Sequence, residues 1–212
     1  MSEFDKDYFI GGTKSNYVDY TSKKFGNLAS DLINILRMSP EDQILDFGCG
    51  TGGLLKEFKN LGYNNIKGTD ISQWAIEWGR KNLDLDKELD YYNRNLLTEE
   101  KDWVLMLDVL EHIPTYEIDH VFQLLKEYLP KKGVIIRLPV SAEEGEDYVL
   151  DVSKNDRTHI QRHSKEAWEE MFARHGFRRC KTLAEGMIYD TPGVLARVYV
   201  WPDVNKILGL CD

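Results

Sequence analysis

The strongest constraint on this 212-residue chain is an alternation of short apolar runs with amphipathic stretches from residue 43 onward. QILDF (43–47), NIKGTDI (65–71), LDYYN (89–93), WVLMLDV (103–109) and GVIIRLPV (133–140) read as strands. The last two are continuously apolar, as expected of central parallel strands buried on both faces. Helices fall between them: 53–62, carrying Leu54, Leu55, Phe58 and Leu61 on one face; 72–83, with Ser72 placed to cap it; and 115–129, with a stripe of Ile118, Val121, Phe122, Leu125 and Leu129. A further helix over 26–37 precedes them, closed by Pro40, and another starts near Ser164 with Trp168, Met171 and Phe172 inward. Residues 179–185 and 194–201 read as a closing pair of strands, and 141–163 as a long irregular stretch. A β-α-β-α order of this kind builds a doubly wound, mostly parallel α/β sheet with helices on both faces. Ligands of such sheets sit beyond the carboxyl ends of the strands, so the loops that follow strands carry the chemistry.

Composition narrows the function classes. Acidic residues outnumber basic ones 36 to 27, a formal net charge of -9, which argues against a phosphate-backbone binder and so against a nucleic-acid partner. Cys49, Cys180 and Cys211 are scattered with no CxxC pair, so no zinc knuckle and no metal are expected, and three reduced thiols are the simplest reading. The N-terminal MSEFDKDYF is too polar for a signal peptide, and no apolar run reaches the roughly 20 residues of a membrane span. A cytoplasmic protein is the expectation.

The first strand runs into Asp46-Phe47-Gly48-Cys49-Gly50-Thr51-Gly52-Gly53. Glycines here permit a sharp turn and close approach of a ligand to the backbone, and the following helix offers free N–H groups. Gly48, Gly50 and Gly53 satisfy GxGxxG, which suggests a dinucleotide and keeps an NAD-dependent oxidoreductase as one reading. Asp46 weighs against it. A carboxylate at that strand end repels a pyrophosphate and attracts a cationic ligand. Asp70 ends the second strand 24 residues later, near the offset at which an acid reads ribose hydroxyls. A glycine turn with two acids describes a site for a nucleoside with a cation attached, and S-adenosylmethionine has that chemistry.

With ILDFGCGTG (44–52), GTDIS (68–72) and LDVLEHIP (107–114) in this order, the chain resembles the class I S-adenosylmethionine-dependent methyltransferases over roughly residues 26–202. The DVLEHIP string is similar to the small-molecule branch that includes ubiquinone and sugar O-methyltransferases. The resemblance implies a Rossmann-like seven-stranded sheet with an antiparallel C-terminal strand. It also implies a methyltransferase domain over 26–212 and an N-terminal segment, 1–25, that covers cofactor and substrate. By position it implies that Gly48, Cys49 and Gly50 line the methionine part of S-adenosylmethionine, with Asp46 beneath. Asp70 holds the ribose, Ile71 packs on adenine, and Leu107 and Asp108 approach the amino group. Asn95, beside Leu96, takes the place of the acid that usually faces the adenine amine. Tyr17 and Tyr20 match cofactor-covering aromatics, or pack as an ordinary N-terminal segment. S-adenosylhomocysteine is the implied product.

Methyl transfer asks the protein to align the acceptor and remove its proton, and histidine is the usual base for a hydroxyl. His159, in Asp156-Arg157-Thr158-His159, falls where related enzymes carry a D-x-x-H segment beside the acceptor and is the first candidate. His112, after the fourth strand, is the second, with a structural role as its alternative. Lys154, Arg157, Arg162, His163 and Lys165 form a local basic excess that reads as a site for an acidic or phosphorylated acceptor or as a solvated loop. Glu143 to Asp147 reads as a mobile lid. The expected activity is O-methylation of a sugar, a nucleotide sugar or another acidic metabolite. Methylation of a protein or nucleic acid is the alternative.

Overall fold

All the strand-to-helix passages read from the sequence occur in the computed structural model, which describes residues 3–11, 14, 15, 17–202 and 211. The chain opens with α1 (Lys6–Phe9), a 3-10 turn at Tyr20–Ser22 and α2 (Gly26–Leu36). The first half of the sheet follows as β1 (Ile44–Phe47), α3 (Gly53–Asn60), β2 (Ile66–Asp70), α4 (Gln73–Leu83) and β3 (Leu89–Tyr91). The second half is β4 (Trp103–Leu107), α5 (Thr115–Glu127), β5 (Gly133–Pro139), α6 (Asp151–Lys154), α7 (Lys165–Arg174), β6 (Arg178–Thr182), β7 (Ala184–Glu185), β8 (Ile188–Tyr189) and β9 (Val194–Val200).

Seven strands form one sheet in the order β3-β2-β1-β4-β5-β9-β6. Neighbours from β3 to β5 are parallel, while β9 runs antiparallel to both β5 and β6. The doubly wound sheet with one reversed C-terminal strand therefore stands as expected. β7 and β8 leave it as a separate hairpin. Chain order reverses between β1 and β4, the switch point at which crossovers depart in opposite directions and leave a crevice.

The elements end where local chemistry dictates. Ser72 caps α4 by accepting the Ala75 N–H at 3.1 Å, and Ser164 caps α7 by accepting that of Ala167 at 3.2 Å. Each such cap stabilises by about 1 kcal/mol. The core holds Trp103, Phe58, Phe122, Trp168 and Phe172, all fully buried. Phe172 packs 5.5 Å from Phe122 and 4.7 Å from Tyr199, joining α5, α7 and β9.

Three expectations change. Cys180 and Cys211 form a disulfide across 31 residues, so only Cys49 keeps a free thiol. Cys180 is buried on β6, and its pairing with Cys211 is an approach that sequence spacing does not encode. Residues 141–163 are not irregular throughout, since they contain α6. The Glu143–Asp147 stretch is not a free lid. Gly145 N–H donates to the Arg162 carbonyl at 2.9 Å, and Glu144 and Asp147 pair with His163 and Arg162.

Candidate active site

The turn after β1 is fastened to the end of β2. Gly48 and Cys49 donate their N–H groups to the Thr69 carbonyl at 2.8 and 3.1 Å. Gly48 has φ +86, and a Cβ there would lie 2.3 Å from Val109 Cγ2, so the loops after β1 and β4 touch only because residue 48 has no side chain. At Gly50, φ +55, a Cβ would meet the Tyr20 ring at 3.1 Å. The N-terminal segment thus lies directly on the turn. It is held there by aromatic contacts: Tyr20 to Tyr17 at 4.7 Å, Tyr20 to Phe9 at 5.4 Å, and Phe9 stacked on Trp74 of α4 at 5.5 Å.

Two carboxyls flank this turn. Asp70 Oδ2 accepts the Gly50 N–H at 2.8 Å and Oδ1 accepts the Ser72 N–H at 2.7 Å. Each oxygen keeps a further lone pair. Burial raises the Asp70 pKa against the pull of those two bonds. Asp46 is 5% exposed, and burial together with the Asp70 charge pushes its pKa up to about 7. A carboxyl pair so poorly solvated gains from a cationic ligand and loses from an anionic one.

The cleft between these loops has a volume of about 410 Å³. Tyr17, Tyr20, Asp46, Gly48, Cys49, Gly50, Asp70, Ile71, Leu107 and Asp108 all line it. Asn95 and Leu96 do not: Asn95 is exposed and Leu96 is buried away from it. After β3 the chain enters a 3-10 turn, Arg94–Thr98, in which the Asn93 side chain accepts the Asn95 N–H at 3.1 Å. Tyr92 takes the position at the cleft instead. Asp108 adopts φ +57, its N–H donates to the Arg137 carbonyl at 2.7 Å, and its carboxylate pairs with Arg137 Nη2 at 3.1 Å. A non-glycine residue in the left-handed region at a strand end is the kind of strain found at functional sites.

The basic stretch does not reach the cleft. Lys154 pairs with Asp151, Arg162 with Asp147, His163 with Glu144 and Lys165 with Asp190, Arg157 is exposed, and none of the five lines the cleft. Lys23, Lys24 and Arg137 are the basic side chains at the cleft wall among the described residues.

Of the two candidate bases, His112 lines the cleft and His159 stands behind it, the rings 4.7 Å apart. This reverses their expected order, because the loop of residues 156–161 passes under the 3-10 turn Leu110–His112 rather than over the cleft. Ile160 and Gln161 donate their N–H groups to the Glu111 carbonyl at 2.8 and 3.2 Å. Burial and the neighbouring His159 push the His112 pKa down to about 4, and burial lowers that of His159. Both imidazoles are therefore neutral near pH 7. Beneath them lies Glu111, fully buried, with no hydrogen-bond partner for either carboxyl oxygen among the described residues. From the sequence, the DVLEHIP string served as a likeness to a family, and Glu111 received no role of its own. The adjacent Glu-His pair after a central strand was the available signal.

A family model described as a methyltransferase domain matches residues 20–181. The chain belongs to this methyltransferase family. Among curated relatives, the chain is 23% identical over 141 residues to the ribosomal protein L11 methyltransferase of Ruminiclostridium cellulolyticum. The match covers 63% of this chain and 43% of that one, so the chain spans less than half of that relative's length. Among solved structures, the chain superposes on the PH0226 protein of Pyrococcus horikoshii with TM-score 0.64 and 18% identity, over 94% of this chain and 99% of that one. It also resembles magnesium protoporphyrin IX methyltransferase of Synechocystis, solved with bound S-adenosylhomocysteine. That TM-score is 0.56 at 18% identity, with 81% and 80% of the two chains covered. These structural likenesses are likenesses of fold.

Proposed function

We propose that this chain transfers a methyl group from S-adenosylmethionine to a hydroxyl of a small molecule, releasing S-adenosylhomocysteine. The observation that carries the reading is the Asp46–Asp70 pair around the Gly48–Gly50 turn, at the switch point of a sheet of the methyltransferase family.

The residues fit such a cofactor. The free lone pairs on both Asp70 oxygens suit two vicinal ribose hydroxyls. Ile71 and Tyr92 offer apolar surface at the place of a base. Asp46 and Asp108 give negative charge where an amino group and a sulfonium would sit. Tyr17, Tyr20 and Phe9 close over the turn and exclude water. The chemistry supplied by the cofactor is a methyl already activated on sulfur. The protein's remaining task is to hold the acceptor oxygen in line and receive its proton. His112 faces the cleft beside Phe4, Tyr8, Ile113 and Tyr116, which favours an acceptor with a flat or apolar body carrying the hydroxyl. A sugar or acidic acceptor would have Lys23, Lys24 and Arg137 to meet it.

A protein acceptor is the second reading, favoured by the name of the curated relative. One experiment separates the two: transfer of labelled methyl from S-adenosylmethionine into a fractionated cell extract. Label in the small-molecule fraction supports the proposal. Label in protein moves the acceptor to a macromolecule, and no label anywhere overturns both.

A further inference from the structure

We propose that Glu111, His112 and His159 form a binding site for one divalent first-row transition-metal ion, open toward the acceptor end of the cleft. Three observations converge on it. The donor atoms of the three side chains lie within 4.8 Å of one another, with His112 Nε2 3.9 Å from Glu111 Oε1. Metal bonds of about 2.0–2.2 Å place tetrahedral donors roughly 3.3 Å apart, so side-chain adjustments of about an ångström close the set.

The second observation is the tautomer that the surroundings impose. His159 Nδ1 lies 3.0 Å from the Ser153 carbonyl oxygen, which can only accept, so Nδ1 carries the hydrogen and Nε2 keeps its lone pair. His112 Nδ1 faces Thr158 twice, at 2.8 Å from Oγ1 and 3.2 Å from the carbonyl. The Thr158 hydroxyl spends its own hydrogen on Asp156 Oδ1 at 2.6 Å, so here too Nδ1 is the donor and Nε2 is bare. Histidine ligands of metals are oriented in this way, with the second ring nitrogen donating to a carbonyl or a hydrogen-bonded group. Asp156 completes that outer ring: its other oxygen accepts the Tyr8 hydroxyl at 3.3 Å.

The third observation is Glu111 itself. Its side chain is fully buried and neither oxygen has a partner among the described residues. A carboxyl buried without hydrogen bonds stays neutral unless a cation sits against it. Among the described residues no lysine or arginine hydrogen-bonds to it, and the nearest basic atom is His112 Nε2. Two imidazoles and one carboxylate suit zinc, manganese, iron or cobalt better than magnesium or calcium, which prefer all-oxygen sets. Three protein ligands leave a coordination position free, and His112 is the ligand that borders the cleft. Only the use of that position, to bind an acceptor oxygen, rests on the methyltransferase reading. Binding of the ion does not.

The test is therefore run without cofactor or acceptor. The purified chain, stripped by chelator, is titrated with Co²⁺ and followed by its visible d–d absorption. The expected result is one Co²⁺ per chain, displaced by Zn²⁺, with affinity lowered about 10²-fold or more in Glu111→Gln and in His159→Asn. His163→Ala, which breaks the pair with Glu144, should bind as the unaltered chain does. Absence of stoichiometric binding, or equal binding by both ligand variants, overturns the site. If either variant fails to fold, as judged by circular dichroism, the unaltered chain decides. Mn²⁺ should then broaden the ring proton signals of His112 and His159 before those of His120 and His175, and uniform broadening refutes the proposal. Because S-adenosylmethionine is absent throughout, failure here leaves methyl transfer standing. Failure of methyl transfer likewise leaves the ion site standing.

Discussion

Asp70 Oδ2 accepts the Gly50 amide at 2.8 Å, which ties the end of β2 to the turn after β1 and holds a carboxylate at the mouth of the switch point. The bond fixes two things together, the shape of the turn and the direction of the acid. Asp70→Ala should therefore weaken binding of S-adenosylhomocysteine by roughly 30- to 150-fold, the equivalent of about 2–3 kcal/mol for hydrogen bonds to a charged group. Calorimetric titration checks it, and unchanged affinity would remove Asp70 from ribose recognition.

Gly48 and Val109 make a second such pair. A Cβ at residue 48 would sit 2.3 Å from Val109 Cγ2, on a backbone of φ +86. Gly48→Ala should lower stability by about 2–4 kcal/mol, part steric overlap and part left-handed strain. Adding Val109→Ala relieves the overlap but not the strain. The double variant should thus be more stable than the sum of the single effects predicts, a coupling readable by urea denaturation. Strict additivity would mean that the two loops do not touch.

Tyr20 covers Gly50 with its ring and touches Tyr17 and Phe9. If covering the cofactor is its task, area matters and the hydroxyl does not. Tyr20→Phe should bind S-adenosylhomocysteine normally, while Tyr20→Ala should lose about tenfold, the value of roughly 50 Å² of apolar surface returned to water. Equal affinity in both variants would leave the N-terminal segment as packing alone.

Much of this was legible in the chain. The runs WVLMLDV and GVIIRLPV became β4 and β5, fully buried at Val104–Met106 and Val134–Ile136, because a central parallel strand leaves no room for a polar face. Asp46, Gly48 and Asp70 reached one cleft because parallel strands bring their loops to the same edge. What failed turned on particular contacts, near and far along the chain, that residue pattern alone does not display. Asn95 missed the cleft because its neighbour Asn93 caps a local turn. Lys154, Arg162 and Lys165 found Asp151, Asp147 and Asp190, so those charges are spent away from the site. His159 was drawn behind His112 by two backbone bonds to Glu111, and nothing in its own segment announces them.

Asp46 gives the last prediction, in pH. Its folded pKa, raised from 3.8 to about 7 by burial and by the Asp70 charge, lies above its unfolded value. The folded chain then holds a proton that the unfolded chain releases. This contribution to stability is fully present below pH ~4, is lost at about 1.4 kcal/mol per pH unit between pH ~4 and ~7, and is gone above that. Tyr20, Cys49 and Asp70 share the pocket, burial raises each of them, and all three are neutral or negative in every protonation state, so none supplies a compensating positive charge. A cationic ligand reverses the balance, since it favours the ionised carboxyl. Binding of S-adenosylmethionine should release close to one proton at pH 6 and almost none at pH 8.5. Affinity should rise with pH up to about 7 and level off above it. Calorimetry in buffers of different ionisation enthalpy measures the proton count directly. Asp46→Asn should abolish the release and flatten the profile, while making the cofactor-free chain more stable than the unaltered one above pH 7. A profile flat from pH 5.5 to 8.5 in the unaltered chain would show that no cation settles beside Asp46.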